Sequence, residues 1–310
     1  MKQELSDFLE HYGKKLEAAL VHWLPCSAQP GMDRPNEAIH YAVFPGGKRM
    51  RPLFTLLAVK TVGGEPECAM PIACAIEYLH TSSLIFDDLP SMDNAALRRG
   101  RKPVHLVYGE GLAILAALAL FNQTYALIGK MADQMPDRNQ ILQLFGEATH
   151  CIGPEGMIGG QALDIQVGAS ADEALKPIQY LKTTTLTRLM FSAGAIVAGA
   201  PMAESDALAK VGEEFGLAYQ IMDDLMDAPE DDHGRELTGV HLCDLNPELE
   251  GELHWREAVE CLGRAQSIMA GQFLGDRAAL LLKFAEMIFG ALQDEISNSR
   301  KLRGQPPVRL

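Results

Sequence analysis

Apolar residues recur at helical spacing along almost the whole chain. Leu5, Phe8, Leu9, Tyr12, Leu16 and Leu20 fall on one face of a first predicted helix. Pro25, Pro30, Gly31 and Pro35 interrupt the pattern, and a second helix is predicted from about Asn36. Phe44-Pro45-Gly46-Gly47 reads as a turn, from which Lys48-Arg49-Met50-Arg51-Pro52 leads into an apolar helix running through Lys60. A long helix over residues 67–88 must stop before Pro90, which has no N–H to continue the ladder. The same period predicts helices over 112–130, 138–149, 162–167, 174–200 with a break near Thr183, 205–226, 255–274 and 277–299. Two stretches, 112–121 and 189–200, are apolar nearly all round, which places them at the centre of a large bundle. Few β-branched alternating runs, no glycine-rich strand–turn–helix fingerprint and no convincing linker occur. The pattern predicts one all-α domain over residues 1–310. The irregular stretch is 227–254, strongly acidic with a single arginine, Arg235, and it is expected to be a solvated loop with short helical pieces.

Composition narrows the function classes. At 47% hydrophobic and 22% charged, the 310 residues can bury a large core. A formal net charge of -14 argues against nucleic acid as a partner, because that needs a basic footprint. An anionic substrate would require local basic patches or bridging divalent cations. The six cysteines form no CxxC pair, as expected for thiols of a reducing compartment. Residues 1–20 lack the basic-then-apolar pattern of a signal peptide, and the longest apolar runs stop short of a membrane span. A cytoplasmic location without a membrane span is the expectation.

Two acidic clusters change the picture. Asp87-Asp88-Leu89-Pro90-Ser91-Met92-Asp93 ends one apolar helix, and Asp223-Asp224-Leu225-Met226-Asp227 ends another. Asp223 and Asp227 are four residues apart and share a helix face, where like charges repel. A hard divalent cation removes that penalty, and Mg²⁺ favours carboxylate, water and phosphate oxygen. On an unbroken helix Asp87 and Asp93 would face roughly 240° apart. A bend at Pro90 lets them meet. The commonest use of an acidic run is a solvated face; two such clusters, each capping a strongly apolar helix, favour metal.

Basic residues add the complement. Lys48, Arg49 and Arg51 flank the glycine turn, and Arg98-Arg99-Gly100-Arg101-Lys102 follows Asp93 closely. In so acidic a chain both clusters suit a diphosphate. His80 lies on the buried face of the helix leading to Asp87, and Lys182-Thr183 interrupts an apolar helix.

In order and spacing these motifs resemble the trans-isoprenyl diphosphate synthases, the short-chain prenyltransferases that make farnesyl and geranylgeranyl diphosphate. The resemblance runs from about residue 36 to 227. It rests on Gly46–Pro52, the first aspartate motif, Leu97-Arg98-Arg99-Gly100, Gly156-Met157-Ile158-Gly159-Gly160-Gln161, Lys182-Thr183, and Gln220 before Asp223–Asp227. It implies an all-α bundle around a deep apolar cavity, a homodimer, and two substrates, isopentenyl diphosphate and an allylic diphosphate. It further implies three Mg²⁺ ions on Asp87, Asp88, Asp93, Asp223, Asp224 and Asp227. Arg98 and Lys182 would touch the allylic diphosphate, while Lys48, Arg51, His80 and Arg99 would hold isopentenyl diphosphate. Thr183, Gln220 and the carbonyl near Lys182 would steady the allylic cation.

Product length is expected to be set by Ser82 and Ser83, about one turn below Asp87, with Tyr78 a further turn down as a floor. Bacterial farnesyl synthases of the family tend to carry an aromatic at the position of Ser82, so the serine favours geranylgeranyl diphosphate. The chain departs from the family after Asp227. No lysine occurs between Lys210 and Lys283, with Gly234-Arg235 the nearest stand-in, and Ala117 replaces a usual aspartate. These departures keep two alternatives open: a non-catalytic or weakly active partner subunit of a prenyltransferase, and a class I terpene cyclase.

Overall fold

The computed structural model describes residues 2–133, 135, 137–167, 180–227 and 247–302. Among them every element is helical, and the only β-bridge joins Arg98 to Arg101. The segment around Gly234-Arg235 lies outside the described residues.

Helix α1 (Lys2–His22) buries Leu5, Phe8, Leu16 and Leu20. Helix α2 (Asp33–Val43) starts three residues earlier than the pattern suggests, because Pro35 fits a first helical turn, where no N–H partner is needed. Helix α3 (Met50–Thr61) is almost wholly buried. The expected helix over 67–88 divides into a 3₁₀ turn (Pro66–Ala69) and α4 (Met70–Asp87). Pro71 cannot donate the α-type bond back to Glu67, so the tighter turn precedes it.

After the short α5 (Val104–Tyr108), Gly109 separates it from α6 (Glu110–Met131). Helix α7 (Arg138–Ile152) is capped by Asp137, which accepts from the Asn139 N–H at 2.9 Å. Helix α8 (Met157–Val167) incorporates the glycines expected to precede it. A π-type turn (Tyr180–Thr184) opens α9 (Thr185–Val197) at the anticipated break near Thr183. Helices α10 (Met202–Asp227), α11 (Pro247–Gln272) and α12 (Ala279–Leu302) complete the bundle. Residues 247–254, expected as loop, therefore begin α11, with Pro247 in a first turn that tolerates it.

The core sits where α3, α4, α9 and α10 meet. Phe54 of α3 stacks within 5.4 Å of Phe191 on α9 and 4.6 Å of Phe284 on α12. Phe191 in turn lies 5.7 Å from Phe215 on α10. Residues 189–197 are all buried, as their all-round apolarity implies.

The stretch 112–121 is different. Helix α6 packs against α4 on one side, and Ile114, Leu115 and Leu118 remain exposed on the other. All-round apolarity marks a helix covered on all sides, and this one is covered on one side within a single chain. The helices are also longer than their apolar runs suggest. On length and composition alone, Pro66–Asp87 and Glu110–Met131 could cross a bilayer, yet 78% of the former's most apolar stretch is buried inside the bundle.

Candidate active site

The end of α4 folds back on itself. The Asp93 N–H donates to the Asp87 carbonyl at 2.9 Å, and the Asn94 N–H donates to Leu89 O at 3.0 Å. Asn94 takes a left-handed φ of 47°, which asparagine tolerates better than most residues. The bend at Pro90 thus places Asp93 beside Asp87. Burial pushes the Asp87 carboxyl up to about 6; Lys182 and Arg98 oppose the rise, and Asp93 and Asp88 add to it. Asp88 is buried, and Arg98 holds it through Nε at 2.8 Å and a terminal nitrogen at 2.7 Å. Both contacts fall on Oδ1 of Asp88.

Residues 98–101 form a two-residue hairpin turn. Arg98 and Arg101 exchange backbone bonds at 2.8 and 3.1 Å, with Arg99 at φ 53° and Gly100 at φ 73°. Left-handed arginine is uncommon, and such strain gathers at functional positions. The turn sends Arg98 to Asp88 and Arg99 to His80, whose Nε2 lies 3.4 Å from the Arg99 guanidinium and 3.2 Å from that of Arg51. Burial and then the charges of Arg51 and Arg99 hold His80 well below its ordinary pKa. A neutral ring with the proton on Nδ1 lets Nε2 accept from both arginines. Buried Arg51 Nε has no partner. Lys48 stays on the outside, 3.8 Å from Glu295 on α12.

The π-type turn spans the two acidic clusters. Lys182 pairs with Asp164 of α8 at 2.6 Å and is drawn also towards Asp87. The next residue, Thr183, donates to Gln220 Oε1 at 2.5 Å, and Gln220 Nε2 donates to Asp224 at 2.9 Å. A π-turn leaves irregular backbone where a regular helix would not, and such turns cluster at functional sites. Gly160 of α8 makes this one possible, because the backbone of Leu181 and Lys182 occupies the space a Cβ would need. Tyr219 then links the second cluster to the arginines. The Arg51 guanidinium lies 6.0 Å from its ring centre, and burial with the charge of Asp223 raises its phenol pKa. Asp223 and Asp224 sit in the last turn of α10; the Asp227 side chain lies outside the described residues.

The structure thus joins Asp87, Asp93, Lys182, Thr183, Gln220, Asp224, Tyr219, Arg51, His80 and Arg99 into one continuous wall, closed along α4 from His80 to Asp87. Asp164 and Tyr219 escaped the sequence reading. Their signals were helical spacing: Asp164 lies three residues after Gln161, and Tyr219 four before Asp223. Ser82 is buried, with its hydroxyl on Ala117 O of α6 at 3.0 Å, and the part-buried Ser83 bonds His80 O at 2.9 Å. Tyr78 is fully buried and turned towards α1, its hydroxyl donating to Leu20 O at 2.5 Å. A cleft of about 480 Å³, lined by Asp33, Glu37, Tyr41 and Tyr108, lies apart from this wall.

The carboxylates suit a hard cation. Asp87 is disfavoured as an anion by burial and by two neighbouring carboxylates, a cost that a divalent cation reverses. Among the described residues no three His, Cys, Asp or Glu groups form a complete cage. Mg²⁺ bound by one or two carboxylates with phosphate needs none.

Residues 33–238 match the polyprenyl synthetase family profile, a span that holds this entire wall. The chain belongs to that family. Among its relatives, the farnesyl diphosphate synthase of Geobacillus stearothermophilus is 37% identical over 226 residues, 72% of this chain and 75% of that protein. The chloroplastic geranylgeranyl pyrophosphate synthase of Catharanthus roseus is 35% identical over 262 residues, 82% of this chain and 72% of that one. The crystal structure of an FPP/GFPP synthase from Zymomonas mobilis superimposes with a TM-score of 0.81 at 29% identity, covering 93% of this chain and 99% of that one. The chain is accordingly an all-α trans-prenyltransferase, and the expectations of fold and enzyme class hold.

Proposed function

We propose that this prenyltransferase condenses isopentenyl diphosphate with an allylic diphosphate to give a trans short-chain product, geranylgeranyl diphosphate in preference to farnesyl diphosphate. The observation that carries the reading is the continuous wall from two carboxylate clusters to the Arg51–His80–Arg99 cluster, which offers two separate anion sites. Arg98 and Lys182 take the allylic diphosphate. For Lys182 this means leaving Asp164, a partner on a neighbouring helix. Lys48, Arg51, His80 and Arg99 take isopentenyl diphosphate, His80 acting as a neutral acceptor that orients both guanidinium groups. Thr183 and Gln220 fix the π-turn carbonyls near the developing allylic cation.

Three Mg²⁺ ions held by Asp87, Asp88, Asp93, Asp223, Asp224 and Asp227 would supply charge neutralisation of the leaving diphosphate. The bond to the diphosphate oxygen breaks, the alkene of the second substrate forms the new C–C bond, and the departed diphosphate takes the proton released. The buried faces of α4 and α9 keep water from the cation. The test is incorporation of labelled isopentenyl diphosphate by the purified chain with Mg²⁺ and a panel of allylic diphosphates. Turnover of one diphosphate alone would favour a cyclase. Inactivity relieved only by a partner synthase would favour a subunit role.

The length preference rests on Ser82, a small side chain between α4 and α6. Ser83 on the Asp87 side and Tyr78 below complete the proposed gauge. Ser82→Tyr fills that space and is expected to shift the product towards farnesyl diphosphate; an unchanged product distribution on chromatography would refute the assignment.

The exposed Ile114, Leu115 and Leu118 of α6 suit a homodimer with this helix at its interface. Leu115→Glu with Leu118→Glu should convert the dimer to monomer in sedimentation at micromolar concentration. A reducing, cytoplasmic setting accords with the free thiols of Cys26, Cys68, Cys74, Cys151 and Cys261.

A further inference from the structure

The basic turn before α3 holds one cation that never reaches the site surface. Arg49 is turned inward, its side chain 6% exposed, and pairs at 2.6 Å with Glu77 of α4, which is 3% exposed. Its Nε meets Glu17 of α1 at 2.8 Å, and a terminal nitrogen donates to Val43 O at the end of α2, also at 2.8 Å. One guanidinium therefore ties three helices to the turn.

The turn is wrapped around that group. Gly46, at φ 75°, lies directly against the Arg49 guanidinium, leaving no room for a Cβ, and Arg49 itself adopts φ 51°. A non-glycine residue in this conformation persists where its surroundings over-determine it, and here the bonds to Glu17, Glu77 and Val43 do so. Two residues on, Arg51 reaches His80, and Glu77 lies one helical turn before His80 on α4. The Arg49–Glu77 pair thus fixes the register between the turn carrying Lys48 and Arg51 and the helix carrying His80.

We infer that Arg49 and Glu77 are positioning residues for the isopentenyl diphosphate half of the site, setting the Arg51–His80 geometry without touching substrate. The inference rests on the function proposed above. Removing Arg49 alone leaves Glu77 buried and uncompensated, so the single variant confounds folding with positioning. The paired variant Arg49→Met, Glu77→Met removes both charges at similar volume and keeps the fold testable. It should melt close to the native temperature, while the KM for isopentenyl diphosphate rises about ten- to hundred-fold, as expected for a displacement near 1 Å. The KM for the allylic substrate and kcat should stay within about threefold, a split that general loosening would not give. In a crystal structure of the paired variant, the Arg51–His80 separation, 3.2 Å in the native chain, should open. An unchanged separation with an unchanged KM overturns the positioning role, as does an equal rise for both substrates. If the native chain does not use isopentenyl diphosphate, the function proposed above fails, and the Arg51–His80 separation by itself decides the role of Arg49 and Glu77.

Discussion

Asp87→Asn is expected to lower kcat by on the order of 10³-fold while making the ligand-free protein more stable at neutral pH. The loss follows, under the proposed function, from removing a carboxylate that would help hold the Mg²⁺ neutralising the leaving diphosphate. The gain follows from the native cost of that charge. Burial desolvates Asp87, and Asp93 and Asp88 crowd it, so its carboxyl is pushed up to about 6 from 3.8. A carboxyl raised in the folded state costs nothing below pH 3.8, where it is protonated folded and unfolded alike. The cost grows through the interval and is complete above about pH 6. The variant should therefore gain up to about 3 kcal/mol at pH 8 and little near pH 4. Thermal melts at the two pH values without metal check this. Equal effects at both pH values would mean that the carboxylate cluster is not under strain.

Arg51→Met is expected to weaken isopentenyl diphosphate binding without weakening the fold. Its guanidinium faces His80 and the Tyr219 ring, its Nε lacks a partner, and Arg99 stands close by. Two charge-assisted bonds to a diphosphate are worth about 3–6 kcal/mol, so the KM for that substrate should rise about 100-fold or more. Melting should hold or improve, because a part-buried cation beside other cations is lost and Met keeps much of the volume. A melting temperature several degrees lower would show that Arg51 is structural. Steady-state kinetics with each substrate varied in turn supplies the other measurement.

The two arginines show where reading the chain succeeds and where it stops. Lys48, Arg49 and Arg51 look equivalent as a basic run beside glycines. Folded, Arg49 turns inward to Glu77 and Glu17, Lys48 stays at the surface, and Arg51 faces His80. One-dimensional spacing carries no information about which helix lies behind a turn, and that decides each partner. The same limit applies to α6, whose apolar circumference was legible while its exposed side was not.

What the sequence by itself determined was the local chemistry. Helical period set nearly every element, Pro90 set the bend that brings Asp93 back to Asp87, and the break near Lys182-Thr183 was visible as an interruption of an apolar run. These features depend on residues a few positions apart, where backbone sterics and hydrogen bonding act directly. Only the tertiary structure decided the long-range pairings: Lys182 with Asp164, Thr183 with Gln220, and Tyr219 beside Arg51. Those depend on how α4, α8 and α10 pack against one another. Packing is fixed by close contacts such as the bare Gly160 backbone against that of Leu181 and Lys182, which no periodicity encodes.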